Sequence, residues 1–339
     1  MPPSPRPTAP QLLRKTSGRP LLISTLENIA YITGLQVSAG FLLAQGKGYS
    51  LFLDSRYLES ARRDVQCRTS LRPLNELADT LRKMKVLCFE ADNVTVATIE
   101  IWKRKYKNTK FVQTSGIVEE YRRSKAPDEQ KKITKACSIT KSVLRLIPTL
   151  LTPGISEQEL AWRIESECRK RGAECMAFPS IVAFGTHSSR PHHHPTNRKL
   201  AKNDLVQIDM GAKFSGYCSD YSRVYFTGRK TADQVRAMRA LRESSAAAIK
   251  ILRPGVTNRA LDLRARQVLR SHGYDKEFSH ALGHGVGIDI HEGVTLSSRA
   301  LVQKIKKNEV ITIEPGLYFE GKWGMRIEET IIVRNPRNQ

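Results

Sequence analysis

A chain of 339 residues is long enough to form two domains, each with a hydrophobic core of its own. Hydrophobic residues make up 40% and charged residues 26%, as in ordinary globular proteins, and no apolar run approaches the length of a membrane span. The N-terminus lacks the pattern of a secretory signal, and the six cysteines are scattered without a CxxC motif. We therefore expect a cytoplasmic protein with reduced thiols.

The formal net charge of +23 is unusually high, and the excess of lysine and arginine lies in both halves of the chain. Its densest cluster, residues 102–107, interleaves aromatic and basic side chains in a way that could contact a phosphate backbone. Such a run is more often the solvated face of a helix, and we favour that interpretation. We expect nucleic-acid binding to be weak and non-specific, and we expect no membrane association.

The first 124 residues alternate between β-type and helical patterns, after a proline-rich start that predicts a loose arm over residues 1–10. The pattern restarts near Pro127, a residue suited to the first turn of a long helix. We therefore divide the chain into a small α/β domain, residues 1–124, and a second domain, residues 125–339. In the first domain the predicted strands are residues 21–24, 40–44, 49–54 and 86–90, and the predicted helices are residues 56–64, 74–85 and 96–106.

The second half of the chain contains an internal repeat. A Pro-Gly turn precedes a helical pattern with an inward leucine and a glycine beyond its end, and this arrangement occurs twice, 101 residues apart. Ser156 and Glu159 predict a capping box before the first helix, whereas Thr257 can cap the second helix without a box. Two equivalent halves facing each other would form a cleft at their interface. The matched pairs are Pro153 and Pro254, Leu160 and Leu261, and Gly172 and Gly273.

Residues 204–226 have the pattern of an antiparallel hairpin. A turn centred on Phe214 and Ser215 would place Asp209 directly opposite Asp220. Two carboxylates so close together on a half-buried ribbon need a cation between them, or one of them must hold a proton. The alternative is a different register, with both aspartates on the surface.

All eight histidines lie between residues 187 and 291. One group contains His192 and is bracketed by prolines, so we expect it to be extended. The other group contains His280, His284 and His291 among closely spaced glycines, which argue against a zinc-binding helix. The glycines indicate close backbone approach along a cleft, and three histidines in so short a segment favour a functional site.

Two further segments carry glutamates in β-type runs. Glu314 ends an apolar run and is followed by Pro-Gly, while Arg326 and Glu328 precede another apolar run. Strand alternation places Arg326 and Glu328 on the same face. Glutamates in strands are usually solvent-facing, and these gain interest because the two aspartates and His284 already need partners.

Together these segments resemble metallopeptidase family M24, which includes methionine aminopeptidases, Xaa-Pro aminopeptidases, prolidases and creatinase. The resemblance covers roughly residues 125–335 and rests on IDMGAKFSGYCSDYSRVY, GHGVGIDIHEG, TIEPGLY and MRIEET. In the first half, SAGFLLAQ and LFLDSRYLESA resemble the creatinase-type N-terminal domain, which methionine aminopeptidases lack. The implied fold class is α/β (α+β), with a C-terminal pita-bread domain that has a pseudo-two-fold repeat, preceded by a smaller creatinase-type α/β domain.

The resemblance implies two divalent metal ions. By resemblance, Asp209 and Glu328 bridge the ions, Asp220 binds one of them, and His284 and Glu314 bind the other. Glu314 is also the expected general base for the water that the two ions share as a bridging hydroxide. Four carboxylates and one imidazole suit Mn²⁺, the expected ion, or Co²⁺, with Zn²⁺ as a further possibility.

The resemblance also assigns roles to four more side chains. His291 matches the position that stabilises the tetrahedral intermediate, and His192 and His280 match catalytic positions that line the pocket of the Xaa-Pro branch. Arg326 is expected to hold Glu328 or its neighbours in place.

The DSRY segment and the PHHHPTNRKL loop are most similar to Xaa-Pro aminopeptidases and short Xaa-Pro dipeptidases. The implied activity is hydrolysis of the bond between an N-terminal residue and a following proline in a peptide substrate, by a homodimeric enzyme. Dipeptidase (prolidase) specificity is the alternative within the same fold. A non-catalytic module that binds nucleic acid or protein would typically have lost metal ligands, and creatine-type amidinohydrolysis needs none, whereas this chain keeps all five.

Overall fold

The computed structural model describes residues 6–65 and 67–335. The chain divides between residues 122 and 123 into two compact units, here called the N-terminal and C-terminal units. The boundary expected from the sequence, after residue 124, lies two residues further along. Within the described ranges, no helix combines the length and the apolar character that a membrane span requires.

The predicted loose arm is wrong at its C-terminal end, because helix α1 (Ala9–Lys15) already begins there. Pro10 lies in the first turn of this helix, where a missing N–H costs no hydrogen bond. A proline-rich composition is therefore compatible with a helix start. Residues 1–5 of the predicted arm lie outside the described residues.

The N-terminal unit is built on a mixed sheet. Its strands are β1 (Leu21–Ile23), β2 (Gly40–Gln45), β3 (Gly48–Leu53), β4 (Thr69–Pro73), β5 (Val86–Glu90) and β6 (Lys110–Thr114). Its further helices are α2 (Leu26–Thr33), α3 (Ser55–Asp64), α4 (Leu77–Arg82), α5 (Val96–Lys105) and α6 (Glu119–Arg123). The strand order over the described residues is β4-β3-β2-β1-β5-β6, with β1 antiparallel to β2 and parallel to β5. This confirms the predicted α/β fold of the first domain.

The strands missed in this unit, β4 and β6, lie at the two edges of its sheet. Their side chains are exposed or only partly buried, so neither strand produces the apolar run by which the inner strands were predicted.

Helix α5 accounts for the basic cluster at residues 102–107. Trp102 packs against Phe111, with ring centroids 5.8 Å apart, and Tyr106 is buried. The intervening basic side chains are exposed. The cluster is therefore the solvated face of a helix with its aromatic residues turned inward, as predicted.

The C-terminal unit contains four longer helices and many short strands. The helices are α7 (Pro127–Leu150), α8 (Glu157–Lys170), α9 (Ala232–Ile251) and α10 (Asn258–Ser271). The first strands are β7 (Cys175–Met176), β8 (Ile181–Phe184), β9 (Leu205–Met210), β10 (Ala212–Phe214), β11 (Tyr217–Cys218) and β12 (Tyr221–Phe226). The later strands are β13 (Gly283–His284), β14 (Thr295–Leu296), β15 (Val310–Ile313), β16 (Gly316–Phe319), β17 (Trp323–Arg326) and β18 (Glu329–Ile332).

Two apolar cores divide this unit into matching halves. In the first, α7 and α8 pack on β8 and β9, and in the second, α9 and α10 pack on β15, β16 and β17. Strand β9 lies between β8 and β12, while β15 pairs with β18 and β16 pairs with β17. Each half therefore covers its strands with a pair of helices.

The internal repeat predicted from the sequence is confirmed. Helices α8 and α10 begin 101 residues apart, as the sequence repeat does. Before α8, Ser156 Oγ accepts the Glu159 N–H at 3.1 Å and Glu159 Oε2 accepts the Ser156 N–H at 2.7 Å, which completes the predicted capping box. Before α10, Thr257 Oγ1 accepts the Ala260 N–H at 3.2 Å, as expected of a cap without a box.

The hairpin turn lies one residue later than predicted, which moves each cross-strand partner by two positions. The turn centres on Ser215 and Gly216, whose φ angles are 47° and 79°. Two successive positive φ angles are typical of the tight turns that join antiparallel strands, and glycine adopts them without steric cost. As a result Asp209 pairs with Ser222, and Asp220 is not its cross-strand neighbour.

Candidate metal centre

A cavity of about 470 Å³ lies in the C-terminal unit, and every site residue predicted from the sequence lines it. The set comprises five candidate metal ligands, three candidate catalytic histidines and one supporting arginine. These residues are Asp209, Asp220, His284, Glu314 and Glu328, then His192, His280 and His291, and finally Arg326. The fold thus brings together residues from both halves of the repeat.

The two aspartates are delivered by the hairpin. Asp209 is the next-to-last residue of β9, and Asp220 directly precedes β12. Both are buried, with exposed fractions of 7% and 5%, so the alternative of two surface aspartates is excluded. Although the register differs from the predicted one, both carboxylates reach the same cavity.

The ring of His284 is oriented by its own backbone. Its Nδ1 lies 3.1 Å from the Gly285 carbonyl oxygen, and because a carbonyl only accepts, Nδ1 carries the proton. The lone pair is then on Nε2, which lies 3.5 Å from Asp220 Oδ2 and 3.5 Å from Glu314 Oε1. These separations exceed ordinary hydrogen-bond lengths and suit atoms that share an ion.

Arg326 is buried beside the carboxylates and orients two of them. Its Nη2 donates to Asp209 Oδ2 in a close ion pair, and its Nε donates to Ser222 Oγ at 2.9 Å. Ser222 Oγ in turn donates to Glu328 Oε2 at 3.0 Å. Arg326 therefore holds Asp209 directly and Glu328 through Ser222, while its Nη1 is anchored on Tyr318 Oη at 2.7 Å.

Three of the carboxylates each retain an oxygen without a hydrogen-bond partner. These atoms are Asp209 Oδ1, Asp220 Oδ1 and Glu328 Oε1, and all are buried. A buried carboxylate oxygen without a partner is costly, so three such atoms around one cavity indicate a site for positive charge. Carboxylates and imidazole are ligands that Mn²⁺ and similar divalent ions accept, so the residues present fit a divalent metal site.

Crowding shifts the pKa values of these groups. Burial raises the pKa of Asp220 to about 6, and the Asp209 charge adds to the effect. Burial also raises the pKa of Glu314 to about 7 and that of Glu328 well above its ordinary value. Burial opposes the charged form of His284, but its neighbours Asp220 and Glu314 outweigh this and raise its pKa. Divalent cations would favour the charged carboxylates and counter these shifts.

The ligand atoms of Asp220, His284 and Glu328 lie within 4.8 Å of one another, close enough for one ion. The resemblance assigned Asp220 and His284 to different ions, whereas these distances favour their binding to the same ion.

His280 presents a free nitrogen to the cavity. Its Nδ1 lies 2.8 Å from the Ala281 carbonyl oxygen and so carries the proton, which leaves Nε2 as a hydrogen-bond acceptor. Nε2 is buried and has no hydrogen-bond partner. Burial, aided by the Arg326 charge, lowers the pKa of His280 to about 4, so the ring is neutral at pH 7.

His192, His194 and His291 are the exposed histidines of the cavity. The ring of His291 packs edge-on against His284, with centroids 4.1 Å apart. Partial burial and the charges of His284 and His192 lower the pKa of His291 to about 4. His291 is therefore neutral at pH 7 and can donate or accept one hydrogen bond.

The glycines around His284 allow close backbone approach, as predicted. A Cβ atom on Gly283 would lie 2.2 Å from the Thr312 carbonyl oxygen, and one on Gly285 would lie 2.0 Å from the Glu292 carbonyl oxygen. Residues 280–291, all of which are described, contain no helix.

Sequence reasoning missed three polar residues that orient the site, Ser222, Thr312 and Tyr318. Thr312 Oγ1 accepts the backbone N–H of His284 at 3.0 Å. Both Ser222 and Thr312 lie two positions from a candidate ligand, and such positions share a face when the backbone is extended. That spacing could have identified them, whereas Tyr318 carries no comparable signal.

Comparison with known families supplies the identity of the fold. Residues 131–335 match the model of metallopeptidase family M24, and residues 11–124 match that of the creatinase/prolidase N-terminal domain. The chain belongs to metallopeptidase family M24. It is therefore a metal-dependent hydrolase, and its cofactors are divalent metal ions.

Relatives of this M24 chain are similar over nearly their whole length. It is 30% identical to the Xaa-Pro dipeptidase of Pyrococcus horikoshii over 325 residues, which cover 95% of this chain and 92% of the relative. The solved prolidase from Pyrococcus furiosus matches with a TM-score of 0.90 at 28% identity, covering 96% of each chain. The X-Pro aminopeptidase from Thermotoga maritima matches with a TM-score of 0.86 at 30% identity, covering 96% of this chain and 95% of that one.

These comparisons confirm the predicted M24 fold, a creatinase-type N-terminal domain followed by a pita-bread domain. Because the relatives include both an aminopeptidase and dipeptidases, they do not separate the two specificities.

Proposed function

We propose that this M24 protein is an Xaa-Pro aminopeptidase, which hydrolyses the bond between an N-terminal residue and a following proline. The observation that carries the proposal is one cavity lined by the five candidate metal ligands, the three candidate catalytic histidines and an apolar wall. The proposal includes two divalent ions, Mn²⁺ by preference, because the ligand set is rich in oxygen. It extends to a homodimer in the cytoplasm, and the absence of disulfides among the six cysteines, all within the described residues, agrees with that location.

Each candidate bridging ligand offers one anchored and one free oxygen. Asp209 is anchored by Arg326 and Glu328 by Ser222, and the other oxygen of each carboxylate faces no donor. Asp220, His284 and Glu314 would complete the two metal sites. When bound, the ions polarise the scissile carbonyl and lower the pKa of the attacking water.

The chain's own groups are suited to move protons. Glu314 is a buried carboxylate with a raised pKa, so it can accept a proton from the attacking water. His280 has a weakly basic free Nε2, so it can take over the proton that Glu314 accepts from the water and pass it to the departing proline nitrogen. His291 is neutral and can donate a hydrogen bond to the charge that develops on the carbonyl oxygen.

The remaining wall of the cavity suits a proline ring. Phe178, Pro179, Ile181 and Ile290 provide apolar surface beside the candidate ligands. The nitrogen of the scissile bond is part of the proline ring and carries no N–H, so the cavity wall needs no hydrogen-bond acceptor for it.

Two neighbouring clefts support an aminopeptidase over a dipeptidase. One, of about 590 Å³, shares His280 and Ala281 with the catalytic cavity, and the other, of about 600 Å³, shares Phe178 and Pro179. A dipeptidase needs no space beyond the proline, whereas these clefts offer room for the rest of a peptide chain.

Hydrolysis of Xaa-Pro, Xaa-Pro-Yaa-Zaa and the N-acetylated tetrapeptide by the metal-loaded protein tests this proposal. The free tetrapeptide should be cleaved at least as fast as the dipeptide, the acetylated one should resist, and Asp209→Ala should remove all activity. Preference for the dipeptide would establish the dipeptidase alternative. No hydrolysis of any of the three with Mn²⁺, Co²⁺ or Zn²⁺ would overturn the proposal.

A further inference from the structure

Glu157 is a carboxylate outside the metal centre whose side chain has no exposed surface. It is the first residue of α8 and accepts five hydrogen bonds at distances between 2.7 and 3.0 Å. On Oε1 the donors are the Phe184 N–H and His187 Nδ1, and on Oε2 they are His193 Nε2 and the N–H and Oγ1 of Thr196.

These donors belong to one segment, residues 184–196, and they flank His192 on both sides. Both His192 and His193 line the catalytic cavity, but the His193 ring is buried with its Nε2 on Glu157, whereas His192 is exposed. His192 lies in a turn, closed by the His193 N–H on the Arg190 carbonyl at 3.2 Å, so the extended backbone expected from the sequence is wrong at this residue. Glu157 holds His193, the residue that closes this turn, and Thr196 three residues later, so it fixes the position of the turn and of the His192 side chain on it.

Hydrogen bonds account for this cluster better than a metal ion does. The ligand atoms of Glu157, His187 and His193 lie within 4.8 Å of one another, so an ion is conceivable on distance alone. However, each imidazole nitrogen lies 2.9 Å from a Glu157 oxygen, whereas the candidate ligands around His284 are 3.5 Å apart. A carboxylate offers roughly four lone-pair positions, and the five donors already use all of them, so no oxygen is left to bind an ion.

The repeat supplies an internal comparison. Asn258, 101 residues after Glu157, is the first residue of α10 and is buried in the same way. The side-chain amide of Asn258 hydrogen-bonds only to backbone groups, in the segment that follows His291. A neutral side chain is therefore sufficient at this position. In the first half of the repeat, every partner of Glu157 is a hydrogen-bond donor and two of the partners are imidazoles. A carboxylate, which only accepts, matches this set of partners. The partners of Asn258 are the carbonyls of Thr295 and Leu301, at 2.8 and 2.9 Å, and the Gln303 N–H at 3.0 Å.

We propose that Glu157 is a positioning residue, which fixes His192 at the cavity by holding His193 and Thr196. This inference rests on the proposed function, because His192 is taken to act in peptide hydrolysis. Glu157 touches neither the candidate ligands nor the substrate cavity, so its loss should act on turnover and leave the metal ions bound.

A double-mutant cycle tests the proposal. Glu157→Gln should lower kcat by on the order of a hundredfold, with a smaller change in KM and an unchanged metal content. Glu159→Gln is the matched control, since it removes the same charge from the same helical turn without contacting residues 184–196, and it should behave as wild type. In a His192→Ala background, Glu157→Gln should have little further effect, because the residue that it positions is absent.

Wild-type kcat in Glu157→Gln, full additivity with His192→Ala, or loss of a metal ion with Glu157→Gln would each overturn the proposal. Should Glu157→Gln misfold, His193→Gln keeps the backbone hydrogen bonds of Glu157 and should give the same non-additive pattern. If the wild type cleaves no Xaa-Pro peptide, the proposed function fails. Hydrogen exchange then tests by itself whether Glu157 holds residues 184–196 in place. The amides of Phe184 and Thr196 should exchange faster in Glu157→Gln than in Glu159→Gln, and equal exchange would contradict the positioning role.

Discussion

At the scale of single residues, the metal centre is defined by which carboxylate oxygens have partners. Arg326 and Ser222 each hold one oxygen, and three other buried oxygens face the cavity without a donor. Without a cation, this arrangement destabilises the folded chain because like charges are crowded in a buried place. The site is therefore organised for binding metal at a cost in the stability of the metal-free protein.

Glu328→Gln should make the metal-free protein more stable and abolish its stabilisation by metal. The pKa of Glu328 is raised well above its ordinary value of 4.5 by burial and by its acidic neighbours. A carboxyl with a raised folded-state pKa loses its contribution to stability as the pH rises, so the advantage of the variant should be absent below about pH 4.5 and grow above it. At pH 7 we expect the free energy of unfolding of the metal-free variant, measured with urea, to exceed that of metal-free wild type by roughly 1 kcal/mol or more. A metal-free variant less stable than wild type at pH 7 would contradict this reading.

His291→Ala and His284→Ala should separate catalysis from metal binding. His284 Nε2 lies among the candidate ligands, so its removal should lower the metal content. His291 packs edge-on against that ring and is exposed, so its removal should lower kcat by about 10²–10³-fold with the metal content unchanged. Metal analysis beside kcat measures both effects. Equal metal loss in the two variants would show that His291 is a ligand.

At the scale of secondary-structure elements, the sequence predicted which segments carry the candidate ligands but not how the strands pair. The glycines around His284 predicted a cleft, whereas Glu314 was added to the site because the aspartates and His284 needed partners. The hairpin register was not predictable from its apolar pattern, because it depends on which two turn residues adopt positive φ. Side-chain contacts between distant segments, such as Arg326 with Ser222, leave no periodic signal at all.

Ser215→Asn should stabilise the hairpin without affecting catalysis. Ser215 has a φ of 47° and is exposed, and asparagine adopts this conformation more readily than serine. We expect an increase of roughly 0.5–1 kcal/mol in the free energy of unfolding. Thermal unfolding of the metal-loaded wild type and variant measures this difference in stability. A decrease would mean that the turn is not centred on Ser215 and Gly216.

At the scale of the whole molecule, the pseudo-two-fold repeat explains why ligands separated by a hundred residues share one cavity. The matched Pro, Leu and Gly positions made this architecture predictable from the sequence. Substrate specificity was not predictable in the same way, because it depends on how far the cavity continues beyond the proline.

The net charge of +23 should give weak nucleic-acid binding that is unrelated to hydrolysis. The basic run at residues 102–107 is a solvated helix face, so its contacts with phosphate would be electrostatic and sequence-independent. Affinity for duplex DNA and RNA, measured between about 50 and 200 mM salt, should fall steeply, and added nucleic acid should not change peptide hydrolysis. A sequence-selective complex at the higher salt concentration would point to a specific nucleic-acid function.

Hydrolysis of matched peptides by metal-stripped and Mn²⁺-reloaded protein tests the proposed activity most directly. We predict no cleavage by the stripped protein, and release of the N-terminal residue from Xaa-Pro-Yaa-Zaa after reloading. Xaa-Ala-Yaa-Zaa should be cleaved about 10- to 200-fold less efficiently in kcat/KM, because alanine leaves the apolar wall partly uncovered. Full activity after metal removal, or efficient cleavage of Met-Ala peptides with none of Xaa-Pro peptides, would contradict the proposal.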